Sequence, residues 1–406
     1  MKGIFRVLLF FLTISCGDIK NYNINDGNLN SYFTRKFGSI GYDYGWSLDY
    51  SPFDNGIIIT GSQEKEIGGD KQLIVIKTNS IGLVIWERLI SGRGNTEGYD
   101  VISTSDGGYL IVGYSWNYGN AQQIYILKLD FYGDIEWEKN YGGSVWDVGN
   151  SVIELKDGGF AIAGFSNSPG ISSGNTDMIL LKIDKYGNKM WMKAYGNKGF
   201  PNHEKANDLI ELFDKSIIMV GYRDRYDDGG KNSLILRVDK NGLKLWEKEL
   251  LNENQTDEMI YGISASQANS IYLSVGANSV GNSEKFYPKI IKIDSYGNID
   301  WVKKYNSNSA KYHNFNITTA IDGDILLVGS TKNNVAFGQT SDAFITRLNP
   351  EGKIIWSKSY GTEDWDDWGW SIIEKPDGNI AMLGSTKSFN ASLFDIFLIG
   401  TSSSGY

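Results

Sequence analysis

The chain has 406 residues, of which 41% are hydrophobic, with 12 Trp, 24 Tyr and 18 Phe, enough for a substantial core. Thirty-nine basic against 48 acidic residues give a net charge of −9, which argues against a nucleic-acid partner, since that would want a basic face. Forty-eight glycines fit a turn-dense all-β chain, and a single cysteine excludes an internal disulfide.

Residues 1–15 read as an export signal. Lys2 and Arg6 form a basic start, and Val7 to Ile14 is an apolar run too short to span a bilayer. Small Ser15 then precedes Cys16. This arrangement resembles a bacterial lipoprotein signal, and the resemblance implies lipidation of Cys16 after loss of residues 1–15. Thr13 stands where such signals carry Leu, and Leu12 lies one place earlier. The alternative is an ordinary secretory signal with an incidental cysteine. Cleavage would leave 37 basic and 48 acidic residues, a net charge of −11. Residues 16–31, rich in Asn, Asp and Gly, read as a flexible tether.

From residue 32 to 406 the chain repeats. Trp86, Trp137, Trp191, Trp246, Trp301 and Trp356 are spaced by 51, 54, 55, 55 and 55 residues. Each follows a turn of the form seen in Asp130-Phe131-Tyr132-Gly133-Asp134-Ile135-Glu136-Trp137. Asp at the turn start bonds its own backbone two residues on, and Gly supplies positive φ. Upstream turns such as Asp106-Gly107-Gly108 and Asp157-Gly158-Gly159 precede apolar runs ending in Gly61, Gly113, Gly164, Gly221, Gly276, Gly329 and Gly384. Each unit therefore predicts four short strands and no amphipathic helix.

Seven glycines against six tryptophans leave the last unit one strand short. The segment Phe33-Thr34-Arg35-Lys36-Phe37-Gly38 has the spacing of Trp356-Ser357-Lys358-Ser359-Tyr360-Gly361, with Phe33 lying 53 residues before Trp86. The expectation is an all-β, seven-bladed β-propeller of four-stranded antiparallel blades, closed by an N-terminal strand that completes the last blade. Closure removes exposed sheet edges. The tryptophans are expected to pack between neighbouring blades.

The frame Asp-x-x-Gly-x-x-x-Trp, with Asp-Gly-Gly before it, resembles the repeat propellers of bacterial lipoproteins and surface proteins, over residues 33–405. Such a resemblance implies a fold and says nothing of activity. The Gly133–Trp137 pair is also similar to the tryptophan-docking motif of quinoprotein alcohol dehydrogenases. Those enzymes hold their quinone against a disulfide of adjacent cysteines, which this chain lacks, so no cofactor is expected.

Function is sought in the loops that lead from one blade into the next, which share a face with the loops joining second and third strands. The richest is residues 361–370, with Asp364, Trp365, Asp366, Asp367, Trp368 and Trp370. Its counterparts hold Asp43 and Trp46 in blade 1, and Trp146 and Asp147 in blade 3. Trp370 and Trp46 share one repeat position in neighbouring blades. Aromatic faces beside carboxylates suit sugars. The structural alternative is that the aspartates cap turns and the rings pack between blades. Three functions remain open: a non-enzymatic, lipid-tethered module binding a glycan or protein partner, an envelope polysaccharide hydrolase with acids drawn from Asp43, Asp147, Asp364, Asp366 and Asp367, and a scaffold within an envelope assembly. His203 and His313, both in crossover loops, and the run Asp224, Asp227 and Asp228 carry only weak metal signals.

Overall fold

A computed structural model of the chain describes residues 22–23, 33–92, 94–116, 121–172, 175–196, 202–225, 230–250, 256–267, 270–279, 286–305, 312–335, 338–362, 364–391 and 393–405. The signal segment and Cys16 lie outside these.

Seven antiparallel sheets follow one another along the chain. Blade 1 comprises Asp43–Ser51, Gly56–Glu64, Lys71–Thr78 and Val84–Ile90, from channel to rim. Blades 2 to 6 repeat this order. The innermost strands of blades 2 to 7 are Thr96–Ser103, Asp147–Glu154, His203–Glu211, Thr256–Ala265, Tyr312–Thr319 and Asp367–Glu374. Each touches the next, and the last touches the first, so the ring is closed.

Blade 7 has three strands of its own, Asp367–Glu374, Ile380–Thr386 and Asp395–Thr401. Its outermost strand is Phe33–Phe37, paired antiparallel with Asp395–Thr401 from Phe33 opposite Gly400 to Phe37 opposite Ile396. The predicted strand exchange is therefore present. A further two-residue strand, Tyr22–Asn23, pairs with Lys36 and Arg35. The expected tether thus contributes a short fifth strand, because the outer edge of Phe33–Phe37 still offers free backbone groups.

The core lies between blades. Seven apolar clusters are found among the described residues, one for each pair of adjacent blades. One of them joins Phe33, Phe37, Ala381, Leu383, Ile396 and Leu398 of blade 7 to Leu48, Ile57, Ile59, Ile74 and Ile76 of blade 1. Third strands are buried on both faces, which is why they read as unbroken apolar runs such as Met178–Ile183.

Each repeat tryptophan lies over the turn glycine of the next blade. A Cβ on Gly133 would come within 2.9 Å of Trp86, and Gly187, Gly242, Gly297, Gly352 and Gly405 stand likewise against Trp137, Trp191, Trp246, Trp301 and Trp356. Gly82 meets Phe33 in the same way and completes the cycle. These glycines have φ between +73° and +81°, so conformation and space both select Gly. The second-strand glycines have another cause. A bulge in the inner strand presses a carbonyl against them, so that a Cβ on Gly113 would lie 1.9 Å from the Glu97 oxygen.

Candidate functional site: an aromatic quadrant at the channel mouth

The inner strands begin at the crossover face, and their first residues set the site. Asp43, Asp147 and Asp367 open three of these strands and occupy one ladder position. All three are fully buried. Asp43 takes the Ser39 backbone N–H and the Ser39 hydroxyl. Asp147 takes the Gly143 N–H at 2.7 Å and the Ser168 hydroxyl at 2.7 Å. Asp367 takes the Thr362 N–H at 3.2 Å, the Ser388 hydroxyl at 2.6 Å and the Thr386 hydroxyl. These carboxylates tie the crossover turn to the strand and lie beneath the surface. Burial raises Asp43 and Asp367 to about 7, against the hydrogen bonds that hold their ionised forms.

On two of these strands the next residue is a half-buried aromatic, Tyr44 or Trp368, whereas on the third it is buried Val148. A bulge at Gly45–Ser47, Gly98–Asp100 and Gly369–Ser371 leaves Trp46, Tyr99 and Trp370 without a partner in the register. The structure brings Trp46 and Trp370 together at 4.8 Å between ring centroids, edge to face. Trp368 meets Trp370 at 5.9 Å and Phe394 at 4.3 Å. Tyr42, Tyr44 and Trp46 form a stack, with centroid spacings of 6.3 and 5.4 Å. Tyr99 closes the group from blade 2, 6.1 Å from Trp46. Tyr42, Tyr44, Trp46, Tyr99, Trp368 and Trp370 are all half-buried, so each keeps part of its surface exposed.

Glu97 is the charged group of this quadrant. It is buried and receives three donors: the Trp46 indole N–H at 3.3 Å, the Tyr114 hydroxyl at 2.8 Å and the Lys71 ammonium at 3.0 Å. That ammonium also lies 5.5 Å from the centre of the Tyr44 ring. Burial, followed by nearby tyrosine and carboxylate groups, pushes the Tyr44 hydroxyl up to about 12. It is therefore a neutral donor at physiological pH.

The remaining candidates stand apart. Trp365 is 55% exposed on the blade 6 to blade 7 crossover, beside exposed Asp364 and half-buried Asp366, which pairs with Lys387 at 3.3 Å. Trp146 is 52% exposed on the blade 2 to blade 3 crossover, away from the cluster. His203 Nδ1 accepts the Thr176 N–H at 3.4 Å, while the His313 side chain, Asp227 and Asp228 lie outside the described residues. No group of three metal-ligating side chains occurs among the described residues.

Glu97, Tyr99, Tyr114, Lys71 and Phe394 escaped the sequence reading. Glu97 and Tyr99 precede and follow Gly98 as Tyr44 and Trp46 flank Gly45, so repeat phase could have found them. Deeper in the channel lie Asp49, Asp100 and Asp208, also missed. Ser47 and Ser151 hydroxyls bond Asp100 at 2.7 and 3.0 Å, and Ser151 bonds Asp208 at 2.9 Å. Burial raises Asp49 to about 6 and Asp208 to about 7, and raises Asp100 as well.

No protein-family model and no curated protein sequence matches the chain. Its architecture is shared with solved propellers. A family PL25 ulvan lyase is 10% identical, with a TM-score of 0.56 over 91% of this chain and 96% of that one. Sqt1 from Chaetomium thermophilum is 10% identical, with a TM-score of 0.52 over 94% and 100%. The WD40 domain of Neurospora crassa Pan2 is 10% identical, with a TM-score of 0.50 over 88% and 89%. At that identity the likeness shows the fold alone, and the chain is a seven-bladed β-propeller.

Proposed function

We propose that the protein is a lipid-anchored module of the bacterial cell envelope that binds a glycan, without chemistry, at the aromatic quadrant of its crossover face. The observation carrying this reading is the run of contiguous, half-buried rings, Tyr42, Tyr44, Trp46, Trp370 and Trp368, beside the fixed donors and acceptor of Tyr114, Lys71 and Glu97. Sugar rings stack their C–H faces on such aromatics while hydroxyls meet the polar groups. Burial of Asp43, Asp147 and Asp367 weighs against hydrolysis by those acids, since each is engaged in its own turn.

A glycan array followed by turnover assays on each hit tests this. Binding without cleavage is expected. Trp46→Ala should weaken binding at least about tenfold, the loss of one stacking ring in a ligand contact. Trp365→Ala, at an exposed position outside the cluster, should leave the melting free energy within about 0.5 kcal/mol. Cleavage of a hit would establish a hydrolase instead. Binding untouched by Trp46→Ala and Trp368→Ala would move the site elsewhere.

A further inference from the structure

A cleft of about 320 Å³ opens between blades 1 and 2, outside the aromatic quadrant, lined by Thr96, Ser115, Trp116, Tyr125, Glu138 and Asn140 together with the crossover at Ser91. The chain itself shows what fills the same space elsewhere. In the ladder, Thr96 pairs with Ser115 as Glu204 pairs with Arg223 in blade 4. Glu138 and Asn140 occupy the outer-strand positions of Glu247 and Glu249.

In blade 4 these positions form a guanidinium site. Arg223 Nε donates to Glu204 at 2.8 Å, one terminal nitrogen to Glu247 at 2.7 Å and the other to Glu249 at 2.6 Å. Each edge of the planar fork finds an oxygen. The Arg223 side chain is 5% exposed, so this is a built internal site.

Blade 2 keeps one of the three carboxylates, Glu138, with Thr96 and Asn140 at the other two positions, leaves Glu138 and Asn140 exposed, and has Ser115 in place of the cation. Ser115 replaces the arginine and bonds Asn140 Oδ1 at 2.7 Å, where Arg223 bonds Glu249. Glu138 takes the Tyr125 hydroxyl at 2.5 Å on Oε2, and makes no ion pair among the described residues. Glu138, Asn140 and Thr96 hold the ladder positions of Glu247, Glu249 and Glu204, and the Thr96 hydroxyl donates to the Gly94 carbonyl at 3.4 Å. Beside them, the buried indole N–H of Trp116 has no acceptor among the described residues.

We propose that this cleft binds an arginine side chain presented by a partner protein. The guanidinium takes the place that Arg223 fills in blade 4, between Glu138, Asn140 and Thr96. Its methylene stem lies along the half-buried Trp116 ring, whose indole N–H then reports occupancy of the cleft. A lysine ammonium is a point charge and meets fewer of these acceptors at once. The site is separate from the glycan quadrant, so either can fail alone.

The test uses the whole protein carrying ¹⁵N-labelled tryptophan, with the Trp116 indole signal assigned through Trp116→Phe. The probe is the blocked tripeptide acetyl-Gly-Arg-Gly-amide, titrated to about 10 mM, the weak end of measurable affinity. A saturable shift of the Trp116 signal is expected. The isosteric citrulline peptide should bind at least about tenfold more weakly, because it lacks the charge. Glu138→Gln should abolish the shift. The double variant Ser115→Arg with Thr96→Glu restores the arginine and the Glu204 equivalent of blade 4, with Asn140 at the Glu249 position, and should lose binding while melting no lower than the parent. No shift with the arginine peptide, an equal response to citrulline, or full binding by Glu138→Gln would each overturn the proposal.

Discussion

A carboxylate on this scaffold takes its properties from where the repeat places it. Turn aspartates on the far face, such as Asp54, Asp106 and Asp157, meet Lys77, Lys128 and Lys182, and despite the opposing effect of burial they stay below the usual carboxylate range. Asp43 and Asp367 at the crossovers, and Asp49 and Asp208 in the channel, are raised to about 6–7 by burial. Between about pH 4, the ordinary carboxylate value, and about pH 7, the fold holds protons on these four that the unfolded chain has released. Stability should therefore fall as pH rises through that window. Calorimetry at about pH 4.5 and about pH 7.5 should show the higher melting temperature at the lower value, since burial penalises the charged form. Asp208→Asn should flatten the slope by removing one of the titrating groups. A melting temperature that is level or rising over this range would contradict the burial account.

Among the elements, Phe33–Phe37 has the largest consequence for its length. It supplies the last hydrogen-bonded edge of blade 7, seats Phe33 on Gly82 of blade 1, and buries Lys36 against Asp395 at 2.6 Å. Deleting residues 33–38 should expose the edge of Asp395–Thr401, leave Asp395 without its cation and abolish the cooperative melt. A truncated protein melting like its parent would refute closure by this strand. The interblade tryptophans act on a smaller scale. Trp191→Ala should cost about 3–5 kcal/mol in denaturant titration, the range for truncating a large packed aromatic. Here the ring packs both the blade 3–4 core cluster and Gly242.

For the whole molecule, the ring leaves one face of tight turns and one of crossovers, and the proposed glycan and arginine sites both lie on the second. No helix among the described residues is long and apolar enough to cross a membrane, and the attachment proposed above is an acyl chain on Cys16. Cys16→Ser should shift the protein from the membrane fraction to the soluble fraction, as expected when an acyl anchor is the main attachment. Unchanged partitioning, or an unmodified N-terminus by mass spectrometry, would remove lipidation from the picture.

The periodic tryptophans, the turn aspartates and glycines and the in-phase Phe33 segment were sufficient by themselves for blade number, strand count and ring closure. Each of these follows from local chemistry repeated at a fixed spacing: a turn demands Gly at positive φ, a buried strand demands an apolar run, and an incomplete unit demands a donor. The same spacing placed Trp46 beside Trp370. It could not separate the buried turn aspartates Asp43, Asp147 and Asp367 from exposed Asp364, because a carboxylate in a crossover reads alike whether it caps a turn or faces water. Nor could it find the Glu97 centre, whose donors come from residues 46, 71 and 114 on three strands. The proposed arginine cleft was hidden for a related reason. Ser115 and Thr96 are unremarkable in sequence, and become informative only when the ladder sets them against Arg223 and Glu204. Tertiary packing decided burial and charge state, since each depends on which neighbour the ring brings close rather than on the residue itself.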